Sequence, residues 1–231
     1  MLLLKENITR LIRFGILCSL KSLRYFFYPT SIKWIGPKTD WKDVRLFILL
    51  NHTSLFEFVY AGILPFKYLW TMSKHLTFPV ADVTYNRKIL GKFYRMLAPT
   101  VDCLSRKKDD SWSQFLANIK PQSIMIFPPE GRMKRRNGLD KEGKEFRVRG
   151  GSSDILPHFL GSKLLLIYSG GLHHVFAPGD KFPRFFKKIH VAIEEVDISK
   201  YCEQFMRIDG SLDKILICED LDHRRDIHCS T

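Results

Sequence analysis

The stretch Leu46-Phe47-Ile48-Leu49-Leu50-Asn51-His52-Thr53-Ser54-Leu55-Phe56-Glu57-Phe58 decides how the chain is read. Five consecutive apolar residues bounded by polar ones fit a buried core strand, and Ser54-x-x-Glu57 is a helix-start signal. Strand, turn and helix are therefore expected in succession, with His52 in the turn and Glu57 in the first helical turn. Were both residues helical, a separation of five would point them about 140° apart. From the turn, the imidazole can fold back to the carboxylate. A carboxylate that holds one ring nitrogen leaves the other as a proton acceptor, the requirement for a general base. The plain alternative is a structural histidine after a strand, and the flanking sequence has to decide between them.

Similar signals recur downstream. Ser123–Phe127 reads as a second core strand and opens into the turn Pro128-Pro129-Glu130-Gly131-Arg132, which presents a carboxylate, a permissive glycine and a cation. Lys163–Tyr168 is another buried strand, and Ile189–Ile193 alternates weakly into a last one. A short strand is expected after Pro99, running into Arg106, Lys107 and Lys108, and another at Lys67–Met72, which is rich in aromatics. Between them lie a helix continuing from Glu57 to Pro65, a basic amphipathic helix at 85–96, a helix from Ser111 to Ile119, and one from Ile155 to Leu160. This alternation predicts an α/β fold, with a mixed, mostly parallel sheet flanked by helices. His173 and His174 have no partners at ligand spacing and are read as structural.

The N-terminal segment 1–30 is set apart from the domain expected over 31–231. Arg10, Arg13, Lys21 and Arg24 interrupt its apolar runs, so neither a spanning helix of about 20 apolar residues nor a signal peptide fits. Leu4, Ile8, Leu11, Ile12 and Gly15 share one side of a helix, and Glu6, Thr9, Arg10 and Arg13 the other. The pattern predicts an amphipathic anchor lying in the plane of an anionic membrane surface, peripheral or monotopic, on its cytoplasmic face. The chain has 37 Lys and Arg against 24 Asp and Glu, a net charge of +13, which points to an anionic partner. Loop 132–149 concentrates that charge, with eight cations against three acids. Five cysteines without metal-ligand spacing suggest reduced thiols and no metal site. Phe182–Lys188 is a basic-aromatic patch suited to a membrane or to covering the sheet.

The P-loop, dinucleotide, zinc-protease and nucleophile-elbow motifs are all absent. At this point Asn51-His52-x-Ser54-x-x-Glu57 resembles the NHxSxxD first block of the 1-acyl-glycerol-3-phosphate acyltransferase family, with glutamate in the aspartate slot. Phe127–Arg132 resembles that family's FPEGTR block, Val101–Arg106 an intermediate block ending in a phosphate-binding arginine, and Phe146–Gly151 a later basic-glycine step. The resemblance implies transfer of a fatty acyl group from acyl-CoA or acyl carrier protein, as co-substrate, to the hydroxyl of a lysophospholipid, most simply 1-acyl-glycerol-3-phosphate. No cofactor is implied. His52 would be the base and Glu57 its orienting group. Asn51, Ser54, Arg106, Glu130, Gly131 and Arg132 would bind or shape the substrate. Arg132 stands in the threonine slot and Met133 in the arginine slot, so Arg132, Lys134, Arg135 and Arg106 compete as the phosphate ligand. Two alternatives stay open: acylation of another lysolipid (a lyso-aminolipid or lysophosphatidylglycerol), or a non-catalytic basic module binding anionic lipid or nucleic acid. The chain lacks a nucleic-acid fold signature, which disfavours the last.

Overall fold

A computed structural model of the protein describes residues 2–105, 107 and 109–229; Arg106 lies outside them. In chain order the first elements are α1 (Leu2–Phe27), β1 (Thr30–Ile35), β2 (Val44–Leu50), α2 (Phe66–His75), β3 (Leu76–Ala81), α3 (Asp82–Tyr85) and α4 (Leu90–Leu97). They are followed by β4 (Thr100–Leu104), α5 (Ser111–Asn118), β5 (Ile124–Phe127), α6 (Gly151–Ile155), β6 (Lys163–Ser169) and α7 (His173–Phe176). The chain ends with β7 (Ile189–Asp197), α8 (Ile198–Gln204) and α9 (Lys214–His228). By packing, it falls into two compact units, one of Met1–Leu23 with Val59–Ile126 and one of Arg24–Phe58 with Phe127–Thr231.

In the larger unit, β2 runs parallel to β6 and β1 parallel to β7, while β6 and β7 are antiparallel. Strands β2 and β6 are almost wholly buried, which explains why they read as continuous apolar runs rather than as alternation. In the smaller unit, β3 is parallel to both β4 and β5. The expected mixed, mostly parallel architecture is therefore present, with β1 and β7 the pair that runs against β2 and β6 and makes it mixed. A chain of charge-assisted contacts ties the C-terminal helices of the larger unit to its sheet. Tyr168 donates to Glu194, Arg224 bridges Glu194 and Asp220 at 2.8 Å each, and Tyr201 donates to Asp220 at 2.7 Å.

Local expectations are corrected at four places, and one strand, β3, is not read from the sequence; the helix expected at 85–96 is broken between α3 and α4, and that expected from Ile155 to Leu160 is a 3-10 segment at Leu156–Phe159. Lys67–Met72 is not a strand but part of α2. As a strand, Leu69 would share a face with Lys67 and Thr71, whereas the helix buries Tyr68, Leu69 and Met72 together, and this packing overrides aromatic strand propensity. Strand β3 was hidden by Pro79; β5 pairs with β3 at Leu76 and Thr77, ahead of the proline. The segment Glu57–Ile63 is a 3-10 helix rather than an α-helix.

Helix α1 is amphipathic as expected, but its orientation is the reverse of a core-packed helix. Leu4, Ile8, Leu11 and Ile12 are exposed, while Leu17 and Leu20 on the opposite side are buried. The cationic side turns into the smaller unit. The Arg10 guanidinium lies 3.9 Å from the Trp70 ring centre, and Lys21 donates to the carbonyls of Gly62 and Leu64 at 3.0 and 2.8 Å.

Candidate active site

Every described residue of the candidate site belongs to the larger unit, where the site is built outward from the C-terminal end of β2. Immediately after Leu50, Asn51 adopts a left-handed backbone with φ of 66°, a conformation that asparagine tolerates better than most residues. Two long-range bonds hold it there. Its N–H donates to Glu130 Oε1 at 2.7 Å, and its side-chain amide donates to the Ser169 carbonyl at the end of β6 at 2.9 Å. The reversal turns the chain sharply and leaves His52 as the next residue.

His52 and Glu57 meet. The imidazole Nδ1 lies 2.5 Å from Glu57 Oε2, and the other carboxylate oxygen, Oε1, accepts the N–H groups of Thr53 at 2.7 Å and Ser54 at 3.3 Å. This is the reach-back half of the Ser-x-x-Glu pattern, so one side chain both caps the turn and holds the histidine. With Nδ1–H donating to the carboxylate, Nε2 is left as an acceptor, and no other described residue bonds it. Burial alone would lower the pKa of His52. The charge and hydrogen bond of Glu57, helped by the charge of Glu130, outweigh that effect and raise it above the ordinary value.

The remaining bonds fix the turn from its sides. The Ser54 hydroxyl donates to the Phe176 carbonyl at 2.6 Å, the Leu172 N–H donates to Thr53 Oγ1 at 2.8 Å, and the Lys134 N–H donates to the His52 carbonyl at 2.8 Å. His173 and His174 each bond a backbone carbonyl, of Lys134 and Lys188 respectively.

The second expected block comes to the same place through Glu130, although its carboxylate is buried behind the turn. Oε1 holds Asn51, Oε2 has no partner among the described residues, and burial pushes the pKa up to about 7. Gly131 is left-handed, with φ of 65°, which explains a glycine at this point of the turn. Arg132 is engaged by loop acids: Nη1 is 2.6 Å from Glu142 and 3.1 Å from Asp140. Lys134 and Arg135 follow it, half-buried and without an ion pair among the described residues, the Lys134 ammonium lying 5.7 Å from the Phe146 ring centre. Sequence reasoning did not single out Thr53, Ser169 or Phe176. Thr53 acts through its hydroxyl, which accepts from Leu172, and Ser169 and Phe176 through their carbonyls, all in long-range bonds whose only local hint was the Ser169-Gly170-Gly171 turn.

No protein-family model matches the chain, and no curated protein sequence matches it. Among solved structures, it is similar to the crystal structure of the 1-acyl-sn-glycerophosphate (LPA) acyltransferase PlsC from Thermotoga maritima. The TM-score is 0.51 and the identity 18%, with 92% of this chain and 79% of that chain covered. At this identity the likeness is one of fold.

Proposed function

We propose that this chain is an O-acyltransferase that moves a fatty acyl group from acyl-CoA or acyl carrier protein to the hydroxyl of a lysophospholipid, with 1-acyl-glycerol-3-phosphate as the first candidate acceptor. The observation that carries this reading is the His52–Glu57 pair, with a free Nε2, at the end of a core strand in a fold similar to that of an LPA acyltransferase. Nε2 takes the proton of the acceptor hydroxyl as its oxygen attacks the thioester carbonyl. The tetrahedral intermediate collapses to the ester, and the imidazolium returns the proton to the departing thiolate. Glu57 keeps Nδ1 protonated and stabilises the imidazolium. No acyl-enzyme forms, so the cysteines are spectators. The thiol of Cys229, whose Sγ lies 4.0 Å from the Leu50 carbonyl, is pushed up to about 12 by burial and the charge of Glu130.

Glu130 is a positioning residue in this reading, since it fixes the backbone of Asn51 rather than facing a substrate. Gly131 and Ser54 shape the turns beside the acceptor. Arg106 keeps the phosphate role implied by the resemblance; among the cations after Gly131, Lys134 and Arg135 are better suited than Arg132, which the loop acids already neutralise. The outward apolar stripe of α1 supports an anchor lying in an anionic membrane surface, for which we retain the cytoplasmic face. No described helix is long and apolar enough to cross a membrane. The test is an acceptor panel of lysophosphatidic acid, lysophosphatidylglycerol and a lyso-aminolipid, each run with both thioester donors. Transfer to lysophosphatidic acid supports the reading, transfer to another lysolipid alone replaces the acceptor, and transfer to none overturns it.

A further inference from the structure

The loop after α7 carries Phe182, Phe185 and Phe186 at the surface, beside Tyr25 and Phe26 in the last turn of α1, all within the larger unit. Phe182 is 80% and Phe186 72% exposed, far beyond what packing on the sheet would leave. The display is structured. Phe186 holds a left-handed backbone, φ 59°, which is strained for a bulky side chain, and its N–H donates to the Phe27 carbonyl at 2.9 Å. The neighbouring ring of Phe185 lies 5.3 Å from Phe27 and 6.1 Å from Tyr28. On the other side of the loop, the Arg184 N–H donates to the Val175 carbonyl at 2.8 Å and its guanidinium pairs with Asp180 at 3.2 Å. The Phe186 ring itself leans on Phe27, 5.6 Å between centres, yet stays largely exposed, and a strained backbone that holds a phenyl ring at the surface has a reason if the ring meets an apolar phase.

Charge identifies that phase. Lys181, Lys187 and Lys188 are exposed, form no ion pair with any described residue, and bracket the rings. Protruding aromatics flanked by lysines match the interface of an anionic bilayer, where rings settle at the headgroup level and each lysine gains from the negative surface potential. The rings also continue inward. Tyr28 contacts Phe56 at 5.2 Å between centres, and the Phe56 N–H donates to Ser54 Oγ, two residues from His52. We infer that the 181–188 loop, with the last turn of α1, is a membrane-docking surface of the larger unit that seats phenyl rings in an anionic lipid interface and adjoins the catalytic turn. Acyl transfer explains its purpose, but lipid docking is measured separately.

The test uses the full chain and vesicles of phosphatidylcholine alone or mixed with phosphatidylglycerol. Phe186→Asn suits the left-handed backbone, so its thermal midpoint should be unchanged or higher while its partitioning into anionic vesicles falls about tenfold. Phe182→Ser should act similarly, and the paired Lys187→Gln and Lys188→Gln change should weaken anionic binding about tenfold at low salt, with little effect on neutral vesicles. These factors do not depend on how much α1 itself contributes, because separate contacts add in free energy. With an acceptor dispersed below its micelle concentration, the variants should turn over like the native chain; with the acceptor embedded in anionic vesicles, they should be slower in proportion to binding. Native vesicle affinity in folded Phe186→Asn and Phe182→Ser overturns the proposal. So does equal native binding to neutral and anionic vesicles, or a native dimer that Phe186→Asn dissociates without changing vesicle binding. Lost vesicle binding in a chain that transfers no acyl group leaves this surface standing and removes the enzyme reading.

Discussion

Exchanging Glu57 for glutamine should abolish the base without unfolding the turn, because the carboxylate serves three donors and glutamine offers one oxygen. In the native site, Oε1 accepts from Thr53 and Ser54, and Oε2 accepts from His52 Nδ1. If the glutamine oxygen faces the two backbone donors, its amide points at Nδ1. The imidazole must then accept at Nδ1 and carry its proton on Nε2, the tautomer that cannot act as a base. The opposite amide orientation would set donors against the N–H groups of Thr53 and Ser54, leaving both unsatisfied at about 1–3 kcal/mol each. The first orientation therefore wins, and its stability cost is about 1–2 kcal/mol, as charge-assisted bonds become neutral ones. The turnover number should fall about 10³- to 10⁴-fold, with acceptor KM within about threefold. Transfer from a labelled thioester gives the rate, and nitrogen NMR of the imidazole gives the tautomer. Activity within tenfold of the native chain, or an Nε2 that stays unprotonated in the variant, would refute the reasoning.

Three further outcomes follow from neighbouring residues. Glu130→Gln should move the rise of activity to lower pH, since the charge of Glu130 helps hold the His52 pKa up and the base must be neutral to act; a profile of rate against pH checks this. The same variant should also alter stability against pH. The folded pKa of Glu130 is about 7 against an ordinary 4.5, so its contribution is full below about 4.5 and is lost as pH rises through about 7, roughly 3 kcal/mol in all; urea midpoints at pH 4.5 and 7.5 should differ less in Glu130→Gln. Arg132→Ala should leave acceptor KM within about threefold, because its guanidinium is already neutralised by the buried Asp140 and the exposed Glu142, while Lys134→Ala or Arg135→Ala should raise it about tenfold. The comparison is KM for acceptors with and without a phosphate. Asn51→Ala should cost about 2–3 kcal/mol in a denaturant titration, from a strained left-handed alanine and the lost bond to Ser169.

What could be read in the sequence depended on the range of the interaction. Strands β2, β5 and β6 were legible because burial on both faces writes an uninterrupted apolar run, and the His52–Glu57 contact was legible because it closes over five residues of chain. Lys67–Met72 misled because an aromatic-rich run carries strand propensity whether or not its packing is helical; only the joint burial of Tyr68, Leu69 and Met72 decides it. The amphipathic stripe of α1 was visible, but not which side meets the protein, since arginine and lysine stems can pack on rings and carbonyls as well as face water. Glu130 stood out as a turn carboxylate, yet its bond to Asn51 crosses 79 residues and leaves no local signature. Arg132 looked like a free cation for the same reason that Asp140 and Glu142 looked like ordinary loop acids: pairing is set by the fold of the loop.

The central claim, that His52 is the base for acyl transfer, is tested most directly by comparing the single-turnover rate of thioester-to-lysophosphatidic-acid transfer in the native chain and in His52→Ala. The expected result is ester formation by the native protein and a loss of at least about 10³-fold in the variant, with the fold retained. A His52→Ala chain that transfers at the native rate, or a folded native chain that transfers to no lysolipid, would contradict it.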